Sequence, residues 1–509
     1  DAGWTGGRFG RPDAIEPLLD VPVPVESWEV FDRLFAWDGR SFPGGQGGGT
    51  YLGAAVRSFF AQGGRRCYVV RVGDPWTYGA PRAQRAAALD ALFPGRGGSP
   101  PASPAERRTW RGAAHLFGLP DVSFLALPDL ADAVAAEPAP ILPLVTPVPP
   151  PERFVECSAG EAPREPDRAV RRLRAPRADE AGFALWAAAV REAALLLQRH
   201  RREVQLVAAI PLPTDDLALP GSGETQYLPI PSDDGEPPPS GESPGEGARG
   251  RFLARDQLLR FLAERGYLRG VLGEREESLA SAFVQLAWPW LRTPGGGLLP
   301  EGVEGAEGAL VGMLARNALV RGSYRSAAGQ DAGDVRGVFP VVTADQLQRP
   351  LQDRSGEGGP ERALADRVSL FGPTPRGVRL LSDVTTARDE SWRPAGVGRL
   401  VAAIVRAARR LGEASAFEPA GERMWREVEE GLGELLMGLL QAGALRGRTV
   451  DDAFEVRCDR TTMTQNDLDA GRVVARVTIQ PAAPVEEIVV VLAVGEAGGA
   501  RPAAAREAA

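Results

Sequence analysis

Apolar positions recur most regularly in the last third of the chain. In GRLVAAIVRAARRLGEA (residues 398–414), Leu400, Ile404, Ala407 or Ala408, and Leu411 share one stripe at helical spacing. ERMWREVEEGLGELLMGLLQAGAL (422–445) repeats the pattern with Trp425, Val428, Leu432, Leu435 or Leu436, and Leu439, and Gly443 is placed as a C-cap. Both segments are expected to be amphipathic helices with one buried face. AFEVRC (453–458) is expected to be a strand. RVVARVTIQ (472–480) alternates, with Val473, Ala475, Val477 and Ile479 set against Arg472, Val474, Arg476 and Thr478, the pattern of a half-buried strand. EEIVVVLAV (486–494) is apolar throughout behind Glu486 and Glu487. The tail, 495–509, has no pattern that would hold structure alone.

Upstream, VPVPVESWEVFDRLFAW (21–37) predicts a short extended segment and then a helix, with Ser27 as N-cap and Trp28, Phe31, Leu34 and Phe35 on one face. A Gly-rich loop follows at 42–50. TYLGAAVRSFFAQGG (50–64) predicts a helix stopped by Gly63 and Gly64, and RRCYVVRV (65–72) a strand that it feeds, as in an α/β layer. VSFLALPDL (122–130) and VQLVAAIPLP (204–213) are apolar runs ending near Pro, the signature of buried strands in a parallel sheet. Between them lie a Pro-rich run and FALWAAAVREAALLLQ (183–198), a buried amphipathic helix. Residues 232–250 are acidic and of low complexity, the composition of a solvated loop. Beyond it, 252–266 predicts a helix, 267–273 a short strand, and 278–294 an element stopped by WPW. Residues 305–329 predict a small-residue helix followed by an Arg-bearing loop.

Composition narrows the class. At 509 residues the chain has room for about two to four domains, and its hydrophobic fraction of 43% supports real cores. No apolar run reaches the roughly 18–20 residues that span a bilayer, and no secretory leader is expected around Asp1. Cys67, Cys157 and Cys458 are too few and too far apart for a disulfide framework or a zinc ribbon, which suits a reducing cytoplasm. The net charge of −8 argues against a nucleic-acid surface. The chain contains no lysine, and all 59 basic residues are Arg. Phosphate-loop, Schiff-base and general-base lysines are thereby excluded, while Arg–carboxylate pairs can lace subunits together.

The best candidate for chemistry is CDRTTMTQNDLDAG (458–471). As a calcium loop counted from Asp467 it fails: Gly471 falls one place early, the fifth ligand position is not filled, and Thr478 stands where a bidentate Glu is required. Asp459, Asp467, Asp469 and Gly471 instead fit a turn in which carboxylates hold backbone. His115 and His200 lack metal-ligand or triad partners in sequence, no G-x-S-x-G elbow occurs, and Gly221–Thr225 is linker-like. The glycines at 44–49 have neither a leading strand nor a following Lys. We expect no catalytic residues, no cofactor and no metal.

Other residues carry a family likeness. TYLGAAVRSFFAQGGRRCYVVRVGDP resembles the "AV-x-x-FF-x-x-GG-x-x-CYVVRV" block of contractile tail sheath proteins. VSFLALPDL, AWPWL and residues 305–329 resemble later blocks. The stretch from RPAGVGRLVAAI through AFEVRCDRTTMTQNDLDAG to EEIVVVL runs parallel to that family's carboxy-terminal domain. The likeness covers the chain except about residues 101–250. Ala420 replaces the family's Asn in "FEPN", Asn317 replaces an Asp, and the family's "PGVYVEE" arm has no counterpart here.

The resemblance implies an α/β protein, α+β overall. Its parts would be a subtilisin-like α/β sheath domain without the triad, a carboxy-terminal α+β sheath domain and a variable surface insertion. It divides the chain into 1–75 as the first part of the sheath core, 76–270 as an outward-facing variable region, 271–395 as the subtilisin-like region, and 396–509 as the carboxy-terminal domain. It implies a structural sheath subunit of a phage tail-like contractile injection system, stacked as hexameric rings around an inner tube. The readings beside it are the tail sheath of a contractile phage or prophage and, remotely, a subtilisin-fold hydrolase. Its implied partners are copies of itself or paralogous sheath subunits, the inner tube, and baseplate and terminal cap proteins, with no nucleic acid and no membrane insertion. Assembly would be cytoplasmic. Ile488, Val489, Val490, Val491 and Leu492 would form the strand that links subunits, because an apolar free edge is an aggregation hazard. Arg423, Arg426, Glu427 and Glu430 would face the tube or a neighbouring sheath subunit.

Overall fold

The computed structural model describes residues 18–37, 50–76, 80–95, 101–137, 174–214, 261–262, 265–268, 272–274, 277–340, 364–414, 421–469, 472–482, 488–494 and 501–503. The first part of the chain contributes β1 (Pro22–Val25), α1 (Trp28–Phe35), α2 (Tyr51–Ala61), β2 (Cys67–Val70), α3 (Arg82–Leu92), β3 (Phe124–Ala126), α4 (Leu130–Ala133), β4 (Arg177–Ala178), α5 (Glu180–His200), β5 (Gln205–Ala209) and β6 (Leu212–Pro213). There follow β7 (Val284–Trp288), β8 (Trp290–Arg292), α6 (Glu307–Val320), β9 (Gly337–Phe339), β10 (Ser369–Thr374), β11 (Gly377–Leu380), α7 (Ala395–Ala414) and α8 (Glu422–Gln441). The chain then gives α9 (Val450–Ala453), β12 (Phe454–Arg457), α10 (Gln465–Asp469), β13 (Val473–Ile479), β14 (Ile488–Val494) and β15 (Arg501–Ala503).

Helix starts follow local chemistry. Ser27 Oγ accepts from the Val30 amide at 3.3 Å, Thr50 Oγ1 from Gly53 at 3.2 Å, and Asp179 Oδ1 from Gly182 at 2.8 Å. Each hydroxyl or carboxylate satisfies an amide that the first helical turn leaves open. After α2 the chain reverses at Gly63, whose φ of +96° lies in the left-handed region.

The main sheet has the order β11-β10-β7-β5-β3, with β3, β5, β7 and β10 parallel and β11 antiparallel at one edge. Every residue of β5 and β7 is buried, as in strands covered on both faces. Helix α5 packs on β5, and α6 packs on β3, β5 and β7 with α2 behind it. The α2–α6 approach is close because Gly308 and Gly312 face backbone: a Cβ on Gly308 would lie 2.5 Å from the Ala55 Cα, and one on Gly312 2.5 Å from the Phe59 carbonyl oxygen. Trp186 and Trp290, both buried, donate their indole N–H groups to the carbonyls of Ala209 and Ile210, which settles the polar end of each ring.

Three expectations need correction here. The boundary at residue 270 falls inside one sheet: β3 and β5, from the supposed outward region, pair with β7 from the next one. The strand after α2 does not enter the parallel layer. β2 pairs antiparallel with β1, Val23 opposite Val69 and Val25 opposite Cys67, in a separate two-stranded sheet. The strand expected at 267–273 is absent among the described residues, where 265–268 are turns. The loop at 44–49, Gly221–Thr225, residues 232–250 and most of the helix expected at 252–266 lie outside the described residues, as do Cys157, Gly471, Glu486 and Glu487.

One hydrophobic core runs from Val23 to Leu380, and a second from Val397 to Leu492. The second belongs to a sheet of order β12-β13-β14-β15, all antiparallel, on which α7 and α8 lie. The chain is thus an α+β protein of two cores.

Candidate subunit interface

The second sheet is built from the alternation seen in sequence. Val473, Ala475, Val477 and Ile479 of β13 stand beside Val494, Leu492, Val490 and Ile488 of β14 in register. Ile488, Val490 and Leu492 are buried on that face, as are all four β13 residues, together with Leu400, Ile404, Val428, Leu432 and Leu436 from the two helices. The opposite face holds exposed Arg476 and half-buried Thr478 and Val491. A one-residue slip would swap these faces, so burial fixes the register.

Within one chain, Ile488–Leu492 already lie in this sheet. Strand β14 is not a free edge in the chain. It pairs with β13 over all seven residues, and Val491–Ala493 also pair with Arg501–Ala503 on the other side. The tail, expected to hold no structure alone, supplies that second partner. Val489 lies on the strand opposite Thr478.

The CDRTTMTQNDLDAG segment joins β12 to β13. The Asp459 carboxylate accepts from the Thr461 amide at 2.6 Å and from the Thr461 hydroxyl at 2.5 Å, which holds it below the usual carboxylate range. Thr464 caps α10: its hydroxyl accepts from the Asp467 amide at 3.2 Å, and Asp467 Oδ2 accepts from the Thr464 amide at 3.0 Å. Bonds from the Thr464 hydroxyl and amide keep Asp467 low as well, and Arg472 pairs with it at 2.6 Å. Asp469 accepts from the Gln465 side chain at 2.8 Å. Burial pushes the Cys458 thiol up to about 12, so it is no nucleophile at neutral pH. Among the described residues no three His, Cys, Asp or Glu side chains converge on a metal position.

On α8, Arg423, Arg426, Glu427 and Glu430 are all exposed, with Glu422 and Glu434 on the same flank, while Met424, Trp425, Val428, Leu432 and Leu436 face inward. Arg423 and Glu427 lie 3.6 Å apart at i,i+4 spacing. The helix therefore presents a mixed, predominantly acidic strip.

Sequence reasoning missed the junction between the two cores. Helix α7 is buried on both sides. Its apolar stripe meets the second core, and Arg399, Arg406 and Arg409 reach the first. Arg399 Nη1 and Nη2 donate to Asp383 Oδ1 and Oδ2 at 3.1 and 2.6 Å, and Asp383 also accepts from Gln285 at 2.9 Å and the Ala327 amide at 2.8 Å. Burial pushes the Asp383 carboxyl up, but the Arg399 charge and these bonds outweigh it and hold it below the usual range. About two turns further along, Arg406 Nη1 donates to the carbonyls of Glu203 and Val122 at 3.2 and 3.3 Å, and Arg409 pairs with the buried Glu203 carboxylate, which Arg201 also meets at 2.7 Å. Burial opposes the Glu203 charge, and these guanidinium groups overcome it and keep the carboxyl low. Arg399, Arg409 and Arg201 thus form their carboxylate pairs within one subunit. His115, the other candidate, sits 3.0 Å from Asp20, and His200 packs edge-on against Phe117.

No family model matches the chain, and no curated protein matches it. Solved structures do. A chain of the anti-feeding prophage (AFP) baseplate in contracted state matches with a TM-score of 0.54 and 17% identity over 93% of this chain and 88% of that one. A chain of the six-fold symmetrised AFP baseplate matches at 0.51 with 17% identity over the same shares. A chain of the AFP helical sheath in contracted state matches at 0.50 with 18% identity, again over 93% and 88%. At these identities the likeness establishes a common fold that runs nearly end to end through both cores.

Proposed function

We propose that this chain is the sheath subunit of a contractile, phage tail-like injection particle. The observation that carries the reading is the end-to-end likeness to a chain of a contracted helical sheath. Copies stack as hexameric rings around an inner tube, and contraction drives that tube through a target envelope. The work comes from new interfaces between copies, so the chain acts without catalysis. Baseplate, inner tube and terminal cap proteins are its other partners, and assembly takes place in the cytoplasm. No described helix is long and apolar enough to cross a membrane. The mainly parallel sheet with helices packed on it suits the subtilisin-like region of such sheaths. Residues 396–509 are the carboxy-terminal domain.

In this reading neighbours join by strand addition to the sheet of β12–β15. β14 stays at the centre of its own sheet, and the added strand takes an edge, either beyond β12 or in the place of β15. The exposed strip of α8 faces the tube or the next sheath subunit. Electron microscopy of the chain co-expressed with its tube protein tests the proposal: rods with a central channel are expected, and monodisperse single subunits under all conditions would rule it out. Charge reversal at Arg423, Arg426, Glu427 and Glu430 tests the strip, with empty or short sheaths expected. Full-length filled particles would remove α8 from that role.

A further inference from the structure

Two acids lie deep in the first core without an ion-pair partner among the described residues. Glu304 is 1% exposed and Glu307, the first residue of α6, is 2% exposed. The backbone of Glu304 is fixed by paired bonds to Leu291, its amide donating at 3.0 Å and its carbonyl accepting at 2.8 Å. Its Oε1 accepts from the hydroxyls of Thr293, at 2.5 Å, and of Ser58 on α2. Glu304 Oε2 and Glu307 Oε2 have no hydrogen-bond partner, and neither carboxyl belongs to an ion pair among the described residues. A buried carboxylate left this way is costly, whereas a neutral carboxyl is cheap.

We propose that Glu304 and Glu307 form a proton-binding pair that couples the packing of α2 against α6 to pH. The groups that face the pair are few. Glu304 meets Ser58 and the charge of Arg57 from α2, and Thr293 from the turn after β8. Arg57 itself stacks over the Trp28 ring at 5.3 Å. Glu307 meets the charges of Glu304 and of Asp129, the residue before α4, and the Asp129 carboxylate is held at 2.9 Å by the Leu52 amide. Like charges therefore outnumber cations around Glu307. The seam is tightly closed, because Gly308, Gly312 and Gly295 bring α6 and the turn after β8 onto the α2 backbone.

The electrostatics agree with this geometry. Burial pushes Glu304 up to about 7, against the hydroxyl bonds and Arg57, and pushes Glu307 up to about 8, where Glu304 and Asp129 add to it. The sign follows from linkage. The unfolded chain releases both protons near pH 4.5, while the folded chain keeps them until about 7 and 8. Stability from the pair is full below the unfolded value, falls as pH rises, and levels off once both folded groups are ionised.

The proposal does not depend on the sheath reading. Its test is urea unfolding of the full chain from about pH 5.5 to 9 at fixed ionic strength, with Glu304→Gln, Glu307→Gln and the double variant. Wild type should lose stability between about pH 5.5 and 7 with a slope about two protons steeper than the double variant, and each single variant should remove about one. Hydrogen exchange within 51–61 and 307–320, corrected for intrinsic rate, should rise in wild type as pH passes about 8 and stay level in the double variant. Equal slopes in all four proteins would overturn the proposal. If the variants do not fold, infrared spectra of wild type decide: a buried neutral-carboxyl band present at pH 6 and lost by about pH 9 supports it, and no such band at pH 6 sinks it.

Discussion

Arg399 and Asp383 meet through two parallel hydrogen bonds, at 3.1 and 2.6 Å, with both side chains nearly inaccessible to water. The pair belongs to different cores: Asp383 is tied by Gln285 to β7, and Arg399 rides on α7. Removing only the guanidinium strands a buried charge. Arg399→Met should cost about 3–5 kcal/mol in urea unfolding. Asp383→Asn keeps partners for Gln285 and should cost less. If Arg399→Met is neutral, the pair does not hold the cores together.

Acid should attack the same junction. Asp383 and Glu203 are held below the ordinary carboxylate range, so their contribution is present above about pH 4 and is lost as pH falls through their folded values. The acid limb of stability should be shallower in Asp383→Asn than in wild type. Circular dichroism from about pH 5 down to 2 reads this directly, and identical limbs would contradict it.

One substitution should have opposite signs on two helices. Gly308→Ala pushes a methyl into the Ala55 backbone and should destabilise by about 1–3 kcal/mol. Gly438→Ala, on α8 with nothing within 4 Å of the new Cβ, should stabilise by up to about 1 kcal/mol. Thermal melts of the two variants check both.

The loop between β12 and β13 should behave as a structural cap. Thr464→Ala should cost about 1 kcal/mol through loss of the α10 cap. The Asp459→Ala, Asp469→Ala double variant should show no metal dependence: melts with and without chelator should superimpose, as in wild type.

In the second core, Leu492→Ala empties a site 1% exposed beneath α7 and α8 and should cost about 2–5 kcal/mol. Conservative Val491→Thr, on the other face of β14, should be tolerated by the isolated chain. Denaturant midpoints of the two variants separate the faces.

What could be read from the sequence was mostly local. The stripes of α7 and α8, the alternation of β13, and Ser27 as a cap are all settled within a few residues. The partner of β2 was not legible, because PVPV reads as a proline-broken segment although Val23 and Val25 alternate into the core. Arg399, Arg406 and Arg409 resemble a solvated face by composition. Only distant Asp383 and Glu203 show that they turn toward the first core. Glu304 and Glu307 carry no local signature: the nearest hint is their place among the small, apolar residues that open α6. The position of β14 also depended on what lay beyond it, since a continuous apolar run specifies burial but not whose strand provides it.

Helix α7 is held from two sides: one belongs to the carboxy-terminal sheet and the other is pinned by guanidinium groups to the first core. Mechanically it is a shared beam rather than a hinge. A pull on the sheet of β12–β15 reaches the first core through two anchor points, Asp383 and Glu203. Force delivered to that sheet would then displace the whole subunit instead of peeling one part from the other.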